Sequence, residues 1–256
     1  MNPVFFGTSR EPLFGVYHPP QTASTVTQGV ILCAPVGVEY MRTHRALQKL
    51  GVQLAKAGVH VFRFDYFGTG DSAGGGEAGT PERWADDVVA AAEELRDTAR
   101  ITAVSLVGLR IGAVLASMAA PRIGDVDRLV LWDPVTSAEE YAMEMLAHAT
   151  ASADNTGTIG AQGFPFSREA VEQLRRLDIH RALVPGVGRK VLMVVSTPDE
   201  RYAAVLAGAR ERGLQMDMTH IPSAGDWDDM DRLGAALLPT QLIRGIVSWI
   251  SGGNAT

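Results

Sequence analysis

Thr102-Ala-Val-Ser-Leu-Val-Gly-Leu-Arg-Ile-Gly-Ala-Val-Leu-Ala-Ser-Met-Ala-Ala120 decides how the chain is read. Ala103 to Val107 is a largely apolar run with strand character, Gly108-Leu109-Arg110-Ile111-Gly112 is a tight turn, and an Ala-rich helix follows. Glycines stand two residues either side of the central position. That is the strand–turn–helix arrangement of a nucleophile elbow, G-x-S-x-G. The central residue is strained, and only glycine lets strand and helix backbones approach closely around it. Here the centre is Arg110. The sequence predicts the scaffold of a nucleophilic enzyme without the nucleophile.

Outward from that turn, strands alternate with helices. Val4–Phe6 and Leu13–Tyr17 read as a hairpin, and Gly29 to Pro35 as a strand buried on both faces. Leu47, Leu50, Leu54 and Ala57 give one apolar face to a helix over Thr43–Ala57, followed by a strand over Val59–Asp65. Thr80-Pro-Glu starts a helix running to about Arg100, with Thr as cap and Pro at the first helical position. Asp127–Asp133 and Lys190–Ser196 are strands, and Thr197-Pro-Asp opens a helix ending near Gly213. Leu214–Ile221 is the last strand and Pro239–Ile250 the closing helix. Between about 135 and 185 the pattern loosens: helices at Glu139–Ala149 and Ser167–Leu177 flank a Ser/Gly/Asn-rich loop, which reads as a small helical lid. The expectation is an α/β fold with a mostly parallel twisted sheet and helices on both faces.

The bulk numbers narrow the function classes. The 256 residues, 46% of them hydrophobic, suit a single domain spanning 1–256 with one large core. The net charge is −6 and no Lys/Arg block carries interleaved aromatics, so neither nucleic acid nor an anionic membrane is an expected partner. One cysteine allows no internal disulfide. Met1 to Gly7 lacks a leader pattern and no apolar run approaches the length of a membrane span, so a cytoplasmic protein is expected. His18, His60, His148, His180 and His220 show no metal-ligand spacing, so no metal and no cofactor are expected. Cys33 lies in a buried strand run and reads as a small hydrophobe.

Gly70-Asp-Ser72-Ala-Gly74 matches G-x-S-x-G literally. It stands well past the end of its strand, and Gly74-Gly-Gly-Glu-Ala-Gly79 cannot open a helix. A glycine-rich turn at a pocket rim is the better reading.

The order of segments, with Cys33-Ala-Pro-Val-Gly-Val-Glu-Tyr40, Thr43-His-Arg-Ala-Leu47, Phe62-Arg-Phe-Asp-Tyr-Phe-Gly-Thr-Gly-Asp-Ser72 and Leu131-Trp-Asp-Pro-Val135, resembles the α/β-hydrolase superfamily. The branch it is similar to holds serine aminopeptidase-like and exosortase-associated hydrolases. Some members carry an arginine elbow, and the similarity extends to the acetate-eliminating enzymes of tetronate antibiotic pathways. The resemblance implies an α/β-hydrolase fold over nearly the whole chain. It maps the triad acid onto Asp199, and the triad histidine onto Asp226, after Ile221-Pro-Ser-Ala-Gly225. Ser–Asp–His thus becomes Arg110–Asp199–Asp226. The oxyanion donors would be the N–H groups of Val36 and Ile111.

Arginine stays protonated and accepts no hydrogen bonds, so this elbow cannot form an acyl-enzyme. A forked cation beside two backbone donors is an anion receptor for a carboxylate, an enolate or a departing acetate. Asp199 or Asp226 would hold the fork, and His44 is the candidate base. Glu39, Tyr40, Trp132 and Trp227 are candidates to line the substrate pocket. Each has a plainer reading: Arg110 and Asp226 as an ion pair filling a dead site, Glu39 tied to backbone or to Arg42, His44 as an exposed helix-start residue, the tryptophans as core. Three functions follow. The first is a lyase expelling acetate from an O-acylated acidic substrate, such as an acetylated tetronate in polyketide biosynthesis. The second is a pseudo-hydrolase binding an acidic small molecule or a partner protein, and the third an atypical esterase or thioesterase. Oligomeric state is open.

Overall fold

A computed structural model describes residues 1–22, 28–147, 149–151, 158–223 and 238–252. Its strands in chain order are β1 (Asn2–Gly7), β2 (Pro12–His18), β3 (Gln28–Cys33), β4 (His60–Phe64), β5 (Ala103–Leu109) and β6 (Val126–Trp132). Three more follow in the insertion, β7 (Thr150–Ala151), β8 (Thr158–Ala161) and β9 (Phe164–Ser167), and then come β10 (Lys190–Val195) and β11 (Met216–His220). The helices are α1 (Gly37–Lys56), α2 (Pro81–Ala99), α3 (Ile111–Ile123), α4 (Ala138–Leu146), α5 (Arg168–Arg176), α6 (Ile179–Ala182), α7 (Glu200–Glu211) and α8 (Thr240–Ile250).

The main sheet has the order β1-β2-β4-β3-β5-β6-β10-β11. The β1–β2 hairpin pairs antiparallel, β2 runs antiparallel to β4, and every later pair is parallel. Successive side chains of a strand point to opposite faces. Ile31, Leu106, Leu131 and Met193 therefore join the core beneath α2 and α3. Val30, Val107, Val130 and Leu192 join the core beneath α1 and α8. Burial on both faces is why these strands read as unbroken apolar runs.

Helix starts follow the expected chemistry with two differences. Thr80 accepts from the Arg83 N–H at 3.3 Å with Pro81 opening α2, as expected. The α1 helix begins at Gly37, six residues before the expected start at Thr43, and its first turns bury polar Glu39, Arg42 and Thr43. The α7 cap is Asp199, accepting from the Arg201 N–H at 2.8 Å, and not Thr197.

The insertion differs more. It holds α4 and α5 as expected, but β7, β8 and β9 form a small antiparallel sheet where a loop is expected. Gln162 and Gly163 both have positive φ, +50° and +89°. That is the two-residue turn favoured by tight hairpins, and it closes β8 onto β9.

Candidate active site at the strand–helix turn

Arg110 stands between β5 and α3 with φ 55° and ψ −122°, a backbone state few non-glycine residues adopt. The flanking glycines have steric causes. A Cβ on Gly108 would fall 2.4 Å from the Ala113 Cα, and one on Gly112 would fall 2.3 Å from the Cys33 oxygen and 2.5 Å from the Ala34 oxygen. The turn is pinned at both ends: the Arg110 N–H donates to the Trp132 oxygen at 3.0 Å, and the Ala113 N–H to the Arg110 oxygen at 3.0 Å.

The side chain of Arg110 turns toward α1. Its Nε donates to Glu39 Oε1 at 2.8 Å and its Nη1 to the Asp133 oxygen at 3.3 Å. The Tyr141 hydroxyl, from α4, donates to the other Glu39 oxygen at 3.2 Å. Burial works against the guanidinium, but the Glu39 carboxylate beside it more than offsets that and raises the Arg110 pKa above its ordinary value. Arg110 is therefore a fixed cation, held by a carboxylate that the lid also grips.

Three neighbouring spaces, sharing lining residues, lie at the carboxyl ends of the strands, the usual ligand position in such sheets. Arg110, Ser137, Tyr141, Arg201 and Tyr202 line a polar one of about 110 Å³. Tyr141 and Glu144 are shared with a narrow space of about 30 Å³ that also touches Glu39 and Val36. Val36 also lines an apolar chamber of about 250 Å³ walled by Met41, Trp84, Phe164 and Phe166. The β8–β9 hairpin supplies the last two, so the unexpected small sheet roofs the apolar chamber.

Val36 and Ile111 are buried, one capping α1 and the other opening α3. Both N–H groups belong to helix starts, where no intrahelical acceptor exists. Among the described residues nothing accepts from either.

Other expected members lie elsewhere. Asp199 is bonded to the Arg201 guanidinium at 2.6 Å, and those bonds hold its pKa below the ordinary carboxylate value. Arg201 also reaches Glu140 of α4 at 2.6 Å. Asp199 caps α7 and its carboxylate is taken up by Arg201, not Arg110. His44 sits five residues along α1 from Glu39, about 140° around the helix. It opens onto a different cavity with Tyr40 and Arg63. Tyr40 donates to Asp65 Oδ1 at 2.6 Å and borders both that cavity and the apolar chamber. Trp132 is fully buried in the core under α1 and α8, and its backbone oxygen accepts from the Arg110 N–H. Asp226 and Trp227 lie outside the described residues. Ser72 is a turn clamp: its Oγ accepts from the Phe14 N–H at 2.9 Å and donates to the Asp65 oxygen at 2.6 Å.

Sequence reasoning missed Tyr141, Tyr202 and Asp133. Asp133, with φ 41°, follows β6 directly and accepts from both the Ser196 N–H and its hydroxyl. Its place at a strand's carboxyl end was the available signal. Tyr141 and Tyr202 lie on helices whose facing could not be told from spacing. Among the described residues no group of His, Cys, Asp and Glu could hold a metal ion, and no helix is long and apolar enough to cross a membrane.

Residues 27–160 match the family described as Serine aminopeptidase, S33. No curated protein matches the chain. Similar solved structures include Est1E from Butyrivibrio proteoclasticus with ferulic acid bound, at 16% identity and TM-score 0.72, covering 97% of this chain and 96% of that one. The esterase domain of a Rhodothermus marinus protein follows at 17% identity and TM-score 0.67, covering 98% and 97%. The structure of DcsB with its substrate analogue is similar at 14% identity and TM-score 0.67, covering 100% and 99%.

Proposed function

The chain belongs to the serine aminopeptidase S33 family of α/β-hydrolase folds, and from that premise we propose that it is a non-hydrolytic member, a lyase that expels a carboxylate from an O-acylated acidic substrate. The observation that carries this reading is the Arg110 guanidinium in the nucleophile's position, bonded at 2.8 Å to Glu39. Arginine cannot attack a carbonyl, and Ser72, the alternative hydroxyl, is committed to Phe14 and Asp65.

In this reading the substrate's anionic oxygens meet Arg110 and the Val36 and Ile111 N–H groups, where developing negative charge is stabilised. Glu39 takes the acidic C–H proton. The C–H electron pair becomes the new C=C bond, the C–O bond breaks, and the carboxylate departs with its electron pair. Glu39 then returns the proton to water. Acetate leaving an acetylated tetronate, an intermediate of polyketide type, is the concrete case. A vinylogous acid supplies the acidic C–H, and an exocyclic double bond results.

A second reading has its own observation. Glu39 already neutralises Arg110, which is what a retired site filled by an ion pair would contain. Such a protein would bind an acidic molecule and release it unchanged. Mass spectrometry on an O-acetylated tetronate separates the readings. Elimination gives the alkene plus acetic acid, lost in Arg110→Met. A deacetylated alcohol would show hydrolysis instead, and binding without product would favour the retired site.

A further inference from the structure

The side chains of the apolar chamber take no part in the reaction proposed above. Its volume is about 250 Å³, and among the described residues that line it none carries a charge. Three of them bring a polar side-chain group, and each group already donates within the protein. The Tyr40 hydroxyl bonds Asp65 Oδ1 at 2.6 Å, the Thr69 hydroxyl the Tyr66 oxygen at 2.8 Å, and the Trp84 indole N–H the Phe67 oxygen at 3.1 Å. A polar guest would lose its hydration here without meeting a side-chain donor to replace it. What the walls offer instead is apolar and aromatic surface.

The roof is a packed element. Trp84 and Phe166 are buried and Phe164 is half-buried. A Cβ on Gly76 would fall 2.8 Å from Pro165 Cγ and 2.9 Å from the Pro165 oxygen, so the hairpin rests directly on the helical turn Gly76–Ala78. Glycine at 76 lets that contact form. Phe166 reaches the start of α1, where its Cζ lies 3.7 Å from the place a Cβ on Gly37 would take. The two phenylalanines are thereby held over the wall formed by Val36 and Trp84.

We propose that this chamber is a binding site for an uncharged apolar body of about ten carbon atoms, with Phe164 and Phe166 setting the size it accepts. A cavity of about 150 Å³ admits benzene, so one of about 250 Å³ admits in proportion a naphthalene-sized body. Selection is by shape and by the cost of burying charge where nothing pairs with it. The proposal concerns binding alone and stands whether or not the Arg110 site turns over a substrate.

Naphthalene titrated into the intact ¹⁵N-labelled chain tests it, with a naphthalene disulfonate, one charge on each ring, as the comparison. Naphthalene is expected to shift the amides of Val36, Gly37, Thr69 and Phe166 and the Trp84 indole N–H, with the disulfonate binding at least about tenfold more weakly. Phe164→Ala removes part of the roof and weakens naphthalene by a similar factor. Thr69→Trp abolishes binding by filling the space, and Arg110→Met leaves it unchanged. The proposal is overturned if naphthalene at its solubility limit leaves those signals unmoved, or if the disulfonate binds equally well. It also falls if Phe164→Ala and Thr69→Trp bind like wild type, or if the shifts gather around Arg110, Tyr141 and Tyr202. Should Thr69→Trp not fold, Phe164→Ala and the disulfonate comparison decide alone.

Discussion

Arg110 Nε donates to Glu39 Oε1 at 2.8 Å, joining the turn after β5 to the first turn of α1 across 71 residues of chain. The side chains are 19% and 6% exposed, so the pair is largely out of water. Removing one member leaves a buried charge unmatched, which costs about 3–5 kcal/mol, whereas replacing both with apolar residues is often neutral. Glu39→Ala should therefore lower the urea midpoint strongly, and Glu39→Leu with Arg110→Leu should recover most of the loss. A single-variant cost below about 1 kcal/mol would place the pair among surface ion pairs.

Gly112→Ala should prevent folding or cost more than about 3 kcal/mol, because the added methyl meets two backbone oxygens that cannot swing aside. Gly208→Ala is the control. It adds a Cβ inside α7 at 3.4 and 3.5 Å from the Arg212 and His180 side chains, which can give way, and should cost well under that. Thermal unfolding of the two variants checks the contrast.

Arg110→Ser should not create an esterase. The turn would regain its hydroxyl, but Asp226 follows Gly225 where the family keeps its histidine, so no base activates it. With p-nitrophenyl acetate neither a burst nor turnover above background is expected. Ser72→Ala should leave any activity unchanged while costing about 1–3 kcal/mol, since the Phe14 N–H loses its acceptor.

Two buried groups give opposite pH dependences. His18 is pushed down from 6.5 to about 4, by burial and then Arg63. Its contribution to stability is complete above about 6.5 and is lost as the pH falls through about 4. Asp87 is pushed up from 3.8 to about 6 by burial, against hydrogen bonds from the Phe67 N–H and Arg83. Its contribution is complete below about 4 and is lost as the pH rises through about 6. Between those limits the two slopes oppose one another. Relative to wild type, His18→Gln should gain stability toward acid and Asp87→Asn toward neutrality, each on the order of 3 kcal/mol across the window. Chemical denaturation at several pH values reads both, and parallel curves for the three proteins would refute the assignment.

The sheet and its two covering layers were legible because burial on both faces writes itself as apolar runs such as Gly29 to Cys33. The elbow was legible because close backbone approach demands glycine at 108 and 112. The partner of Arg110 was not. Asp199 fitted the resemblance's pattern, yet it caps α7 and pairs with Arg201, and among the described residues the carboxylate beside Arg110 is that of Glu39. Nothing in the spacing of α1 distinguishes Glu39, facing Arg110, from His44, facing another cavity, because that helix starts before its apolar repeat. The β8–β9 hairpin was hidden by its polar neighbours, although Gln162-Gly163 carried a usable turn signal.

The crowding around Gly112 separates where a group is placed from what it does there. Backbone oxygens at 2.3 and 2.5 Å from a would-be methyl lock the bend against the end of β3, while the residue two positions earlier opens into space. The position of residue 110 is thus set by its backbone, independently of the side chain it carries. Outlines shared at 14–17% identity can accordingly host unrelated chemistries.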